Sequence, residues 1–126
     1  MEMKKLLESF NHAINGIIDA VRTQRNMKIH IVAAIGVLIA CFFFDISKAE
    51  FLSLAITITM VISAELVNTA VEAAVDLNTN YYHPLAKVAK NTAAGAVLVT
   101  AINALLVGYI VFWDKLSNFS YEVVYK

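Results

Sequence analysis

"FLSLAITITMVISAELVNTAVEAAVD", residues 51–76, decides the fold. No charge occurs in it before Glu65, and the apolar run has the composition of a membrane span, which needs about 20 residues. Then Glu65, Asn68, Glu72 and Asp76 follow. A charged side chain at the centre of a spanning helix costs about 2.5–3.5 kcal/mol on insertion scales, so these groups need a reason to be there. At about 100° per residue, with Glu65 as zero, Asn68 falls near −60°, Glu72 near −20° and Asp76 near +20°. The four share one stripe. Carboxylates one and two turns apart offer oxygen ligands to a hard cation such as Mg²⁺. One of them can instead act as a general base. The same stripe reads equally as a proton or ion relay. It also reads as a structural seam that hydrogen-bonds to neighbouring helices and specifies assembly. The residue types alone leave these alternatives open.

The rest of the chain fits a membrane setting. Of 126 residues, 60% are hydrophobic and 16% charged, against roughly 45–50% and about 25% in soluble domains. Ten basic and ten acidic residues give no net charge, which excludes the basic excess that nucleic acid selects. Cys41 is the single cysteine, so it reads as small-residue packing. The N-terminus has no apolar core of signal-peptide length and no small-residue cleavage site, so insertion is expected through internal helices.

Residues 3–24 place Leu6, Leu7, Phe10, Ala13, Ile14, Ile17, Ile18 and Val21 at helical spacing, with Lys4, Glu8, Asn11, Asn15, Asp19 and Arg22 opposite. This pattern predicts an amphipathic helix lying in the membrane interface. Spans are expected over 29–46, 50–77 and 91–114. The third contains "TAAGAVLVTAINALLVGYIVFW", residues 92–113, without a charge. Tyr109 and Trp113 suit an interfacial aromatic belt, and Ala93 to Ala96 would let a neighbouring helix approach closely. The fold class is therefore all-α integral membrane, one domain over 1–126. Lys4, Lys5, Arg22, Arg25 and Lys28 precede the first span, and Lys87 and Lys90 share its side; Lys48, Lys115 and Lys126 lie opposite. The excess puts the N-terminus and the second loop in the cytoplasm. The glycines are dispersed and no G-x₄-G-K-[ST] phosphate loop occurs, which excludes a conventional nucleotide fold. His30 reads as an interfacial or packing residue.

"AELVNTAVEAAVDL" (64–77), "HPLAKVAK" (83–90), "TAAGAV" (92–97), "SFNHAINGI" (9–17) and "TQRNMKIH" (23–30) together resemble the prokaryotic diacylglycerol kinases. The pattern is most similar to their Gram-positive, undecaprenol kinase-like branch. The resemblance spans roughly 5–113. It implies a homotrimer of three-span subunits with a surface helix, in a bacterial plasma membrane with the active site facing the cytoplasm. It implies Mg²⁺-dependent transfer of the ATP γ-phosphate to a lipid hydroxyl, on undecaprenol or diacylglycerol. A non-enzymatic ion- or proton-conducting oligomer is the alternative built on the same stripe.

By position in the motifs, Glu65 is similar to the catalytic base, Asn68 to a residue positioning substrate or phosphate, and Glu72 to the metal-binding, nucleotide-site glutamate. Lys90 matches the lysine that contacts nucleotide phosphates. Tyr82, His83 and His12 match positions that face the nucleotide. Two residues depart from the pattern. Gln24 stands where the family has a metal-holding glutamate, and Asn91 where it has an aspartate. An amide still offers an oxygen but brings no charge to Mg²⁺, so the resemblance implies weakened metal binding and turnover at these nucleotide-site positions.

Overall fold

The computed structural model describes residues 2–78 and 81–124; Lys126 lies outside them. These residues form four helices: α1 (Glu2–Thr23), α2 (Arg25–Phe43), α3 (Lys48–Asn78) and α4 (Pro84–Val124). Three segments are long and apolar enough to cross a membrane: Arg25–Phe43, Lys48–Leu77 and Pro84–Ser117. With 31 residues, α3 is about 45 Å long at 1.5 Å per residue. That exceeds the roughly 30 Å of hydrocarbon in a bilayer. Part of α3 can therefore extend beyond the apolar layer.

Local chemistry sets the helix starts. Ser47 and Glu50 close a capping box on α3: Ser47 N–H donates to Glu50 Oε2 at 2.8 Å, and Glu50 N–H donates to Ser47 Oγ at 3.3 Å. Two otherwise orphaned donors are satisfied reciprocally. α4 opens with Pro84, whose missing N–H costs nothing at that position. His83 caps it, its Nδ1 accepting from Leu85 N–H at 3.2 Å. Between α1 and α2 the chain breaks at Gln24, which is extended (φ −92°, ψ 122°) and supplies no side-chain cap. Its backbone N–H still donates to Ala20 O at 2.9 Å. Ala20 and Met27 are buried on either side of the break and lock the joint.

α3 is the central element, packed chiefly on α4 and then on α2; α1 touches the bundle only near the joint. The buried positions of α3 are Leu54, Thr57, Val61, Glu65 and Asn68, a 3–4 spacing that defines one helix face. Glu65 and Asn68 thus continue the core stripe rather than a solvent face. Hydroxyls along the spans are satisfied within their own helices. Thr57 Oγ1 donates to Ser53 O at 2.7 Å, Thr59 to Ala55 O at 2.8 Å, and Thr100 to Val97 O at 2.9 Å. This is what hydrocarbon demands of any polar group held in it.

The outer surface is apolar. Phe42, Leu105 and Ile110 are 90%, 75% and 72% exposed, among many others. In water such a continuous surface would aggregate; in a bilayer it faces its natural solvent. Within the small-residue run Ala93 to Ala96, a Cβ on Gly95 would meet nothing within 4 Å, so no helix of the described chain packs closely on that residue.

Candidate active site

Two polar cavities lie at the end of the bundle where α3 terminates and α4 begins. The first, of about 300 Å³, is lined by Asn26 and His30 of α2, by Glu65, Asn68 and Glu72 of α3, and by the start of the α4 span. Glu65 is 1% exposed and Asn68 is buried. Helix periodicity places them: positions 65, 68 and 72 are one turn apart, so α3 presents all three to the gap between α2 and α4. Asn68 Nδ2 donates to Glu72 Oε1 at 3.1 Å, which fixes the amide and the glutamate relative to each other. The remaining acceptors are open. Glu65 Oε2 and Asn68 Oδ1 are buried without a hydrogen-bond partner. Leaving a buried polar atom unpaired costs about 1–3 kcal/mol, more for a charged group. A native chain tolerates that where another molecule completes the pairing.

The second cavity, of about 550 Å³, gathers Asp76 from α3, Tyr82 and His83 from the connection, and Lys87, Lys90 and Asn91 from α4. Lys90 Nζ is 2.5 Å from Asp76 Oδ1. Both ends of this pair are well exposed, Asp76 more so, so it is a weak and exchangeable contact. Lys90 is held in the second cavity by an acid it can leave.

The expected site residues therefore fall into groups. Glu65, Asn68 and Glu72 share the first cavity; Tyr82, His83, Lys90 and Asn91 share the second. Gln24, half-buried at the α1–α2 break, and His12, exposed on α1, line neither. Asp76 leaves its stripe-mates and turns to Lys90. His30, expected as an interfacial or packing residue, lines the same cavity as Glu65. Asn26, one turn before it, was not anticipated either. The signal was present: Asn26 and His30 stand four residues apart at the head of an apolar span, hence on one helix face.

Among the described residues, no cluster of three or more His, Cys, Asp or Glu is placed to hold a metal by protein groups alone. Mg²⁺ does not require one. It binds through one or two carboxylates, keeps several waters and takes the rest of its ligands from substrate phosphates. Glu72, a carboxylate with its second oxygen free of the Asn68 bond and next to an unpartnered Asn68 Oδ1, fits that mode.

The helical bundle thus carries a buried, unpartnered carboxylate oxygen at Glu65 and, in a separate cavity, a lysine paired with Asp76. Comparison with known proteins gives the class: residues 11–112 match the family model for prokaryotic diacylglycerol kinase, and the chain belongs to that family of membrane lipid kinases. An undecaprenol kinase of Bacillus subtilis is 44% identical over 115 residues, covering 91% of this chain and 94% of that protein. A diacylglycerol kinase of Synechocystis is 44% identical over 104 residues, 82% of this chain and 59% of that protein. A diacylglycerol kinase of Escherichia coli K12 is 32% identical over 80 residues, 64% of this chain and 65% of that protein.

Proposed function

We propose that the chain, as a single membrane kinase domain, transfers the γ-phosphate of ATP to the hydroxyl of a membrane lipid alcohol: undecaprenol in the first instance, or diacylglycerol. The observation that carries this is the unpartnered, buried Glu65 Oε2 at the inner end of an apolar helix. It is an acceptor waiting for a donor, and an alcohol delivered from the bilayer supplies one. Glu65 takes the hydroxyl proton as the alcohol oxygen attacks the γ-phosphorus. The bond from the γ-phosphorus to the β–γ bridging oxygen breaks, and ADP leaves. Such a reaction needs chiefly positioning and charge neutralisation.

Asn68 holds Glu72 in place through its 3.1 Å hydrogen bond. Glu72, with a weaker amide oxygen from Gln24, would hold Mg²⁺. When bound, the cation neutralises the polyphosphate. Lys90 exchanges Asp76 for phosphate oxygens. Tyr82, His83 and Asn91, which line the second cavity, stand on the nucleotide side; His12, outside both cavities of one chain, takes its nucleotide-facing role only in the assembly. In this reading α1 lies flat on the cytoplasmic interface with Leu6, Phe10, Ile14 and Ile17 in the acyl boundary.

Self-association into a homotrimer belongs to this reading. Asn103, near the middle of the α4 span, is exposed, and lipid tails offer its amide no hydrogen bond. A second copy does, and the room around Gly95 lets it approach. The plasma membrane, with the polar end inward, is the setting that the basic-residue bias supports.

The test is transfer of ³²P from γ-labelled ATP to undecaprenol and to dioctanoylglycerol by purified protein in micelles, with Mg²⁺ titrated. Labelled lipid phosphate that vanishes with chelator is expected. No labelled product from either alcohol, in the wild type or in the Gln24→Glu/Asn91→Asp variant, would defeat the kinase reading. Ion flux in vesicles without such product would favour a conducting oligomer.

A further inference from the structure

We propose that Asn26 and His30, in the first turns of α2, are catalytic donors: they hold the oxygens of the phosphoryl group while it passes from ATP to the alcohol. This rests on the kinase reading above and goes beyond it by assigning the groups that take up the charge of the transfer. Both side chains line the cavity of about 300 Å³ that contains Glu65. Standing four residues apart, they share one face of α2.

The donors present in the cavity lead to this pair. Glu65 and Glu72 bring carboxylates, and Glu65 Oε2 and Asn68 Oδ1 are acceptors without partners. An alcohol hydroxyl and the waters of a hydrated cation satisfy such atoms. A phosphoryl group does not, because its own oxygens are negative. Drawn toward an alcohol held by Glu65, it is repelled by the carboxylates and needs donors on its other side. α4 contributes only Ala94, Val97, Leu98 and Ala101. Asn68 Nδ2 already donates to Glu72. Lys90 lies in the second cavity, paired with Asp76. The Asn26 amide and the His30 ring are the side-chain donors that remain. An imidazole keeps an N–H to donate whether neutral or protonated.

The start of α2 points the same way. Its first turn holds no acidic residue, and Gln24 ahead of it supplies no side-chain cap. The first N–H groups of the helix thus lack intrahelical partners. Arg25 and Lys28 add positive charge to the positive end of the helix dipole, an arrangement that opposes helix formation unless an anion offsets it. Depth fits as well. Glu65 is 1% exposed, His30 is half-buried and Asn26 exposed, so the two donors flank the way from the cytoplasmic end to the base. Neither forms a bond or gives up a proton. The alcohol oxygen bonds to phosphorus, the bond to the β–γ bridging oxygen breaks, and the hydroxyl proton goes to Glu65. Asn26 and His30 only donate hydrogen bonds, which strengthen as charge gathers on the phosphoryl oxygens.

The experiment uses the full-length protein in micelles with Mg²⁺, ATP and undecaprenol or dioctanoylglycerol. Asn26→Ala and His30→Leu should each lower kcat by about 10²–10³-fold, the loss seen when one such donor is removed, with KM for ATP within about twofold. His30→Gln keeps an N–H and should recover at least tenfold of what His30→Leu loses. ADP with fluoroaluminate, a mimic of the phosphoryl group in transfer, should inhibit the wild type and bind each deleted variant more weakly by about the factor lost in kcat, with ADP affinity unaltered. A kcat within twofold of the wild type in both variants overturns the inference. So does a loss of kcat with fluoroaluminate inhibition as tight as before, which marks a structural role, or a rise in the KM of the alcohol alone. A wild type that phosphorylates neither alcohol sinks the kinase reading and this inference with it.

Discussion

The two ends of α3 treat their polar groups in opposite ways. At the N-terminal end of α3 the charged groups Glu50 and Lys115 have found partners. Glu50 closes the capping box with Ser47. Lys115 of α4 reaches back to Glu50 Oε1 at 3.3 Å and donates to Asp45 O at 2.6 Å. One lysine thereby pins the α2–α3 turn to the far end of α4, beside the Phe44–Phe112 edge contact. At the inner end, Glu65 and Asn68 are more deeply buried than any of these, yet each keeps an atom without a partner. Buried polar groups in finished structure are paired. On the proposed function the contrast separates scaffold from site: polar groups whose bonds are complete hold the bundle, and those left incomplete are the ones assigned to substrate.

Four substitutions probe that contrast, in descending order of effect. Glu65→Gln should lower lipid phosphorylation by about 10²–10⁴-fold, the range of a lost general base, with helix content and oligomeric state unaltered. Asn68→Ala frees Glu72 and should cost about 10–100-fold, as loss of a group that orients a ligand does, with a raised Mg²⁺ requirement as its signature. Lys115→Met acts at the other end. It should lower stability by about 1–2 kcal/mol, the worth of a charge-assisted hydrogen bond, seen as a lower thermal midpoint, while turnover below that midpoint stays within about twofold of the wild type. Asp76→Asn is the smallest. An exposed pair is worth about 0–1 kcal/mol, so stability should barely move, and the KM for ATP should fall slightly because Lys90 is released. If Lys115→Met abolished transfer at low temperature, or Asn68→Ala left it intact, the division between the two ends would be wrong.

How much of this the amino-acid order revealed depends on range. Residues 51–76 announced both the span and its polar stripe, because apolar length and a one-turn spacing are local properties that survive folding. The S-x-x-E at Ser47 to Glu50 is local as well, but the span expected from residue 50 made no use of it, and the capping box shows only in the fold. What stayed hidden was pairing across distance. Lys90 meets Asp76 fourteen positions away, and Lys115 meets Asp45 seventy positions away. His30 shows the same limit differently. A lone histidine at the head of an apolar helix looks like an interfacial anchor, and only the juxtaposition of α2 with α3 puts it beside Glu65. Position in a motif assigned His12 and Gln24 to the nucleotide, but the fold of one chain leaves both outside the two cavities.

The most direct test measures thermal midpoint and the rate of lipid phosphorylation together for Glu65→Gln and Lys115→Met. If Glu65 is the base of the proposed reaction, its incomplete pairing costs stability for the sake of chemistry, as functional sites do. The expected outcome is therefore a crossing: Glu65→Gln loses transfer and melts at or above the wild-type temperature, whereas Lys115→Met melts lower and keeps its transfer rate. A Glu65→Gln protein that melts early yet still phosphorylates the alcohol would contradict the account at its centre.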